Sequence, residues 1–525
     1  MAELSHGPKR AKRPHAIKTG EVYPVGELVV GIDFGTSYSS VSVARRGRTE
    51  IIPIENELAL PSLVAFPTAK TMLIGTEARE QWAAYVQRTI SSSKRLMGLT
   101  PNSKDVERLT SGLAFPVFAG TDGFLCFRVD DQTYSIVDIC AGILRRLREE
   151  TSAYLGIDVR HAVLASPVGY GTLARQMLKA AARRAGLEVH ALISEPTAAI
   201  MAHGFRGRYS GRVAIFDFGG GTLDFSIIDV TPDSYRVLAA GGDPALGGDD
   251  FDGKIADHLA NQFEKQTGID LRSRVVEWQA LKLAAESAKC LLSKEASVDI
   301  QLDDLAHTAQ GLQSLRCKLK RQDFVNLIGH LIHRALRVAR NVMTQSNLNP
   351  DDIDRVVLTG GTSQIPALQH AVSDFFGRKV VIRDPHLAVA RGAAICAAEL
   401  AGDIPVRRLF CEVAGRSFGA SLESGKVVPL FERNTPLPAR AKCRFQASIA
   451  GQRLISLQVF EHATPRLDQS RPIGILSIGP LPRTEDKPLE IEATFRLDRD
   501  GLLEVNAEVA GQNYSENIET DISPV

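Results

Sequence analysis

The sequence predicts an α/β fold followed by a separate all-β domain, on three observations. A strand–turn–strand sentence occurs twice, as VVGIDFGTSYSSVSV over 29–43 and VAIFDFGGGTLDFSII over 213–228. From about 27 to 402, short apolar runs of β type alternate with stretches of helical periodicity, the pattern of an α/β fold. From 416 to 510 only alternating β-type runs remain, such as LISLQVFEH and LEIEATFRLDRDGLLEV, broken by Pro and Gly.

Composition bounds the rest. A chain of 525 residues exceeds one ordinary core, so several domains are expected. A net charge of +1 gives no global basic surface and argues against a nucleic-acid partner. Seven scattered cysteines without a CxxC pair or metal-ligand spacing fit buried thiols in a reducing compartment. No apolar run is long enough to cross a membrane, and MAELSHGPKR has no signal core, so a cytoplasmic protein is expected.

Residues 1–26, with Lys9, Arg10, Lys12, Arg13 and Lys18, are expected to be a disordered basic tail. The first hairpin then opens on Asp33 and turns through Gly35, Thr36, Ser37 and Tyr38. The second opens on Asp217 and turns through Gly219, Gly220, Gly221 and Thr222. Glycine turns let backbone N–H groups approach a phosphate, and an Asp at each head would face the accompanying metal. Two such hairpins imply two pseudo-symmetric lobes gripping a nucleotide with Mg²⁺.

Between and after them lie four further segments. Lys94 sits in SSSKRLMG, and Glu195 precedes a Pro at a strand-to-helix turn in ISEPTAAIMAH. Helical periodicity covers 174–185, 276–292 and 323–346. Glu286, Lys289 and Ser293 fall on one face of the second of these by i, i+3, i+7 spacing. VVLTGGTSQIP (356–366) is a strand running into Gly360 and Gly361, suited to close approach by a flat ligand. Residues 403–413 form an extended connector, and 414–525 the β domain, whose hairpin RLDRDGLLEV turns at Asp-Gly.

Two apparent motifs are rejected. GDDFDGK (248–254) has P-loop spacing, but Ile255 stands where Ser or Thr must hold the metal, and its acids would repel phosphate. SxxK at Ser91–Lys94 lacks the SDN and downstream KTG of an acylase.

Taken in order, these segments and LGGDDFD (246–252) resemble the seventy-kilodalton heat-shock protein family, the DnaK-type chaperones, over about 27–520. The resemblance implies an actin-like (ribonuclease H-like), two-lobed ATPase over 27–402, a linker over 403–413 and a peptide-binding β-sandwich. It implies that Asp33 and Asp217 hold the water shell of Mg²⁺, that Lys94 orients the attacking water near Glu195, and that Thr222 assists catalysis. Glu286, Lys289 and Ser293 would touch the adenosine, with Gly360, Gly361, Thr362 and Gln364 on its other face. Ala420, Ile455 and Leu457 match apolar peptide-cleft positions, and Pro167, Arg175, Leu409 and Phe410 an interdomain relay. Leu409 and Phe410 are expected to dock together in a groove between the lobes, and Arg407 and Arg408 to need acidic partners or water. Implied partners are extended client polypeptides, a J-domain co-chaperone and a nucleotide exchange factor. The sequence stops where the family's helical lid begins, so a short form lacking the lid is expected.

Several positions depart from the family pattern. Cys290 and Gln364 replace arginines that flank adenine, which removes a cation–π contribution of roughly 0.5–2 kcal/mol. Gly169 replaces an aromatic after Pro167. Ala191 and Ser194 alter the J-domain surface, Glu412 replaces a linker Asp, and Glu423 and Ser448 occupy the peptide arch. A nucleotide-switched scaffold docking one dedicated partner is therefore the alternative to an ATP-dependent chaperone. A small-molecule kinase is disfavoured by the β domain.

Overall fold

The computed structural model describes residues 28–45, 48–101, 105–110, 115–120, 124–204, 210–309, 311–406, 408–422, 427–446, 453–462, 471–481, 490–509 and 512–517. The basic tail, Arg407, Glu423 and Ser448 lie outside them.

The repeated sentence folds into two sheets of matching strand order. In the first, Val29–Asp33 pairs antiparallel with Tyr38–Arg45 and parallel with His161–Ser166. Arg48–Ile52 extends the sheet on one side and Glu188–Ser194 on the other. In the second, Gly211–Phe218 pairs antiparallel with Leu223–Val230 and parallel with Arg355–Thr359. Ser234–Asp243 and Val380–Ile382 flank it in the same way. Parallel neighbours need a crossover, and the helices Thr172–Arg184 and Pro366–Phe376 supply equivalent ones.

What joins the sheets is a shared core. The helices Glu195–His203 and Ala388–Leu400 pack on each other. Their Ala198, Ala199, Ala393, Cys396 and Ala397 are buried in one cluster with Val29, Val163 and Ile193 of the first sheet and Val213, Ile215 and Val357 of the second. Small side chains permit this closeness. A Cβ on Gly31 would strike the backbone of Ala393 and Ala394, and one on Gly392 the carbonyl of Ala198.

The β domain is a pair of four-stranded antiparallel sheets. One runs Val428–Phe431, Ser417–Leu422, Ile455–His462, Arg471–Ile478; the other runs Ala439–Gln446, Glu490–Leu497, Leu503–Val509, Gln512–Asn517. Leu457, Val459, Ile478, Ile491, Phe495 and Val505 fill the space between them. Ala420, Ile455 and Leu457 belong to this interior and are all buried.

The connector is a strand rather than a free linker. Leu409–Cys411 adds in parallel to the edge strand Ser234–Asp243, with Tyr235 opposite Phe410. The expected docking of Leu409 with Phe410 is not found. Alternation along a strand sends neighbours to opposite faces, so Phe410 packs on the shared core while Leu409 is 40% exposed. Arg408 takes the buried side instead. It donates to Tyr235 Oη at 3.1 Å and to the Pro232 carbonyl at 3.3 Å, and its guanidinium lies over the Tyr235 ring.

Polar contacts then hold the sandwich against the first sheet. The turn of the expected Asp-Gly hairpin carries Asp500, which accepts from Lys179 Nζ at 2.5 Å and from the Leu192 N–H at 2.9 Å. Its carbonyl accepts from Arg175 at 2.9 Å. Glu461 accepts from the Thr172 N–H, inside the first turn of its helix, at 2.9 Å. Arg416 donates to the Gly169 carbonyl, and Glu412 accepts from the Ser194 N–H.

The tight glycines give a direct test. Gly31→Ala and Gly392→Ala should each cost about 1–3 kcal/mol by overpacking. Gly329→Ala, inside the helix Arg321–Gln345 with open space around it, should instead stabilise by about 0.5–1 kcal/mol. Chemical denaturation of the three variants checks both signs.

Candidate functional site: a cleft between two glycine turns

The two hairpin turns meet. A Cβ on Gly220 would collide with Ser37 Oγ, and one on Gly221 would lie 2.7 Å from Thr36 Oγ1. Each turn is also held from within. The Gly35 N–H donates to Ser39 Oγ at 3.1 Å, the Ser62 hydroxyl to the Gly35 carbonyl at 2.8 Å, and the Gly219 N–H to the Thr222 carbonyl at 3.1 Å. Beside them opens a cavity of about 550 Å³, lined by Thr36, Ser37 and Tyr38 on one side and by Asp249, Lys282 and Glu286 on the other. That is the size of a small-ligand site.

Charge gathers at this seam. Lys94, in a short 3₁₀ turn, is buried and donates to Glu195 Oε1 at 2.6 Å. Glu195 is the first residue of a helix capped by Ser194, whose hydroxyl accepts the Thr197 N–H. Burial opposes the Lys94 ammonium, but Glu195, Asp33 and Asp217 outweigh it and hold its pKa above the ordinary value. The carboxyl groups rise too, which favours their neutral form. Desolvation pushes Asp33 up to about 7 and Asp224 to about 8, each with Glu195 adding repulsion. Asp217 is driven well above its usual range, again chiefly by burial. Asp224 Oδ2 is buried without a hydrogen-bond partner among the described residues. Several buried carboxylates facing one lysine, with an orphaned oxygen, fit a hydrated divalent cation; Asp33, Asp217 and Asp224 are the groups that could hold one.

The opposite wall converges on Gly248. Lys289 donates to Asp252 Oδ2 at 2.6 Å and to the Gly248 carbonyl at 3.2 Å. Burial pushes Asp252 up to about 7 despite this lysine. A Cβ on Gly248 would meet Thr362 Oγ1 at 2.8 Å, and Thr362 donates to the Gly219 carbonyl at 2.8 Å. Gly360 has φ +80°, and its missing Cβ leaves room for Phe218 and Asp217. Gly361 lies against the His386 ring, which also bonds Gln364. Glu286 crosses the cleft to Arg79 at 3.2 Å. Ser293 caps the helix Val275–Leu292, and its hydroxyl is bonded to the Lys289 carbonyl.

All the cleft residues read from the two hairpins, SSSKRLMG, ISEPTAA and TGGTSQ thus border one seam, with Glu286 and Lys289 on its far wall. Arg175 reaches toward the sandwich and also donates to the Tyr170 carbonyl at 3.1 Å, and Tyr170 Oη in turn donates to the Lys94 carbonyl at 2.8 Å; Pro167 precedes Val168 and Gly169, whose backbone N–H groups bond Asp224.

The sequence reading missed several members. Asp224 stands opposite Asp217 in the second hairpin and was visible in LDFS as a second acid. Arg95 follows Lys94 and bridges to Asp249 and Asp250 across the cleft. His386 had no local signal, because it reaches Gly361 only through the fold. The rejected P-loop match is helical from Gly248 onward, with Asp249 and Asp250 in its first turn.

The raised carboxylates fix a pH response. Asp33 and Asp252 at about 7 and Asp224 at about 8 lie far above the ordinary value of 3.8. Without a cation these carboxyls therefore hold more protons in the folded state than in the unfolded one from about pH 4 to 8, and their contribution to stability falls as pH rises through that window. The thermal midpoint of nucleotide-free, chelator-treated protein should be lower at about pH 8 than at about pH 6. Added Mg²⁺ should recover more at the higher pH, where it displaces fewer protons; an equal gain at both would contradict the assignment of Asp33 and Asp224 to the cation.

No helix among the described residues is long and apolar enough to cross a membrane. The family model described as Hsp70 protein matches residues 29–524. Members of that family are ATPases that use ATP with Mg²⁺ to control the binding of unfolded polypeptide segments, together with co-chaperones. The matched span takes in both glycine hairpins, the cleft between them and the β-sandwich, and the chain belongs to the Hsp70 family.

Proposed function

We propose that this chain is an ATP-hydrolysing chaperone of the DnaK type, with an actin-like ATPase over 27–402, a linker over 403–413 and a peptide-binding sandwich over 414–525. The observation that carries this reading is the abutment of the two glycine turns beside the buried Lys94–Glu195 pair. In this reading the turns at Gly35–Tyr38 and Gly219–Thr222 cradle the phosphates with backbone N–H groups. Glu286, Lys289 and Ser293 with Gly360, Gly361, Thr362 and Gln364 enclose the adenosine. A bound Mg²⁺, held through water by Asp33 and Asp217, neutralises phosphate charge.

Lys94 positions the attacking water and offsets charge on the γ-phosphoryl group. Water attacks phosphorus, the bond to the β-phosphate oxygen breaks, and the water proton leaves with the inorganic phosphate. Positioning and electrostatics carry such a step. The sandwich takes extended, apolar client segments, and Ala420, Ile455 and Leu457, buried as they stand, become reachable only when the sandwich opens. A J-domain partner and an exchange factor follow from the family pattern.

One observation favours the scaffold alternative. Ala420, Ile455 and Leu457 are turned inward, and the sandwich is tied to the lobes by Asp500, Glu461 and Arg416. ATP turnover with a panel of unfolded peptides separates the readings: stimulation means a chaperone, indifference a dedicated docking module.

Two outcomes are expected. Lys94→Ala should lower turnover by about a hundredfold or more while nucleotide binding persists, because the lysine acts mainly in the transition state. Single-turnover hydrolysis beside equilibrium nucleotide binding measures this, and undiminished turnover removes Lys94 from the mechanism. Asp500→Ala should loosen the sandwich, since one carboxylate serves Lys179 and the Leu192 N–H. Limited proteolysis with ATP bound should then cut within 403–413 faster than in the parent; an unchanged rate would mean that Asp500 does not hold the two parts together.

A further inference from the structure

The outer edge of the first sheet carries a group of side chains that the nucleotide cleft does not use. His161 opens one strand and lies in register with Glu188 on the parallel edge strand. The register then steps from Ala162 opposite Val189 to Val163 opposite Ala191, so His190 is the extra residue of a bulge. Bulges re-aim side chains. Here the effect is to bring the His190 ring toward His161, with ring centroids 4.8 Å apart. His190 Nε2 lies 2.9 Å from His161 Nδ1, and Glu188 Oε2 lies 3.7 Å from that same nitrogen. One ligand atom from each of the three residues falls within 4.8 Å of the others.

We propose that His161, Glu188 and His190 form a binding site for a divalent transition-metal ion of the zinc class. Two donors about 2.0 Å from a tetrahedral zinc are about 3.3 Å apart. The observed separations of 2.9 and 3.7 Å bracket that spacing, so small side-chain rotations seat an ion. Two imidazoles and a carboxylate suit Zn²⁺, Co²⁺, Ni²⁺ or Cu²⁺, whereas Mg²⁺ prefers all-oxygen sites such as the cleft carboxylates. The His161 side chain is 15% exposed and that of Glu188 72%, which gives an ion an entry path and leaves a position for water or an outside donor. The site also has a structural consequence. Leu192, two residues beyond His190, donates its N–H to Asp500 of the sandwich, so a bound ion braces the edge strand on which the sandwich is seated.

The test is calorimetric titration of the full, nucleotide-free chain with Zn²⁺ in excess Mg²⁺, which occupies the carboxylate cluster. Co²⁺ titration, read by visible absorption, reports the ligand geometry. The parent should take up one equivalent that is lost in the His161→Ala/His190→Ala double variant. Zinc bound by cysteines would persist in that variant and is subtracted. Glu188→Gln changes only an exposed side chain and so keeps the fold. It should weaken binding by about tenfold or more, and it serves as the test should the double variant fail to fold. Equal uptake by parent and double variant, or by parent and Glu188→Gln, overturns the site. So does the absence of uptake by the parent, which leaves the two rings joined by an ordinary hydrogen bond.

Discussion

The structure depends on burying more negative than positive charge at one seam. Asp33, Asp217, Asp224 and Glu195 face a single buried ammonium, Lys94. An uncompensated buried carboxylate is costly, and it responds by holding its proton. A cation and a polyphosphate supply what the protein omits: positive charge for the acids and negative charge for the backbone N–H groups of the glycine turns. Those turns can serve only because they lie close together, and they lie close because two Ala-rich helices let the sheets share a core.

Hydrogen bonds link the seam to the sandwich. Tyr170 bonds to the Lys94 carbonyl from one side, and its own carbonyl accepts from Arg175, which reaches Asp500 in the sandwich. A short chain of hydrogen bonds therefore runs from the lysine beside the turns to the docked hairpin. Continuity of this kind is a physical route for coupling, although coupling itself requires an element with two states. The connector strand is the natural place for one, since its backbone pairs with an exposed sheet edge and its Arg408 side chain is sheltered by Tyr235.

The departures from the family pattern acquire concrete roles. Gly169 leaves its carbonyl to Arg416, and Glu412 reaches the Ser194 N–H that begins the helix of Glu195. Ala191 packs against the shared core, while Ser194 caps that helix. Gly169, Ser194 and Glu412 therefore serve this chain's own interdomain contacts. His386 stands beside Gly361 and bonds Gln364, which puts an imidazole against the glycine pair where the sequence reading noted only a missing arginine.

By itself the sequence determined whatever depends on local spacing. The two hairpins, the helices near 174–185, 276–292 and 323–346, and the change to an all-β pattern after 416 could be read directly, because periodicity and glycine turns are local properties. The hairpins named Asp33, Asp217 and both glycine turns for the same reason. Tertiary structure decided what depends on contact between distant segments. Only it aims Asp224, Arg95 and His386 at the cleft, buries Arg408 instead of Leu409, and seats Asp500 on Lys179 and Leu192. It alone places His161 beside His190, because a one-residue bulge in strand pairing leaves no mark on periodicity. The physical reason is the same each time: a strand's register and its partners are set by the sheet it joins, and that sheet is assembled from segments distant in the sequence.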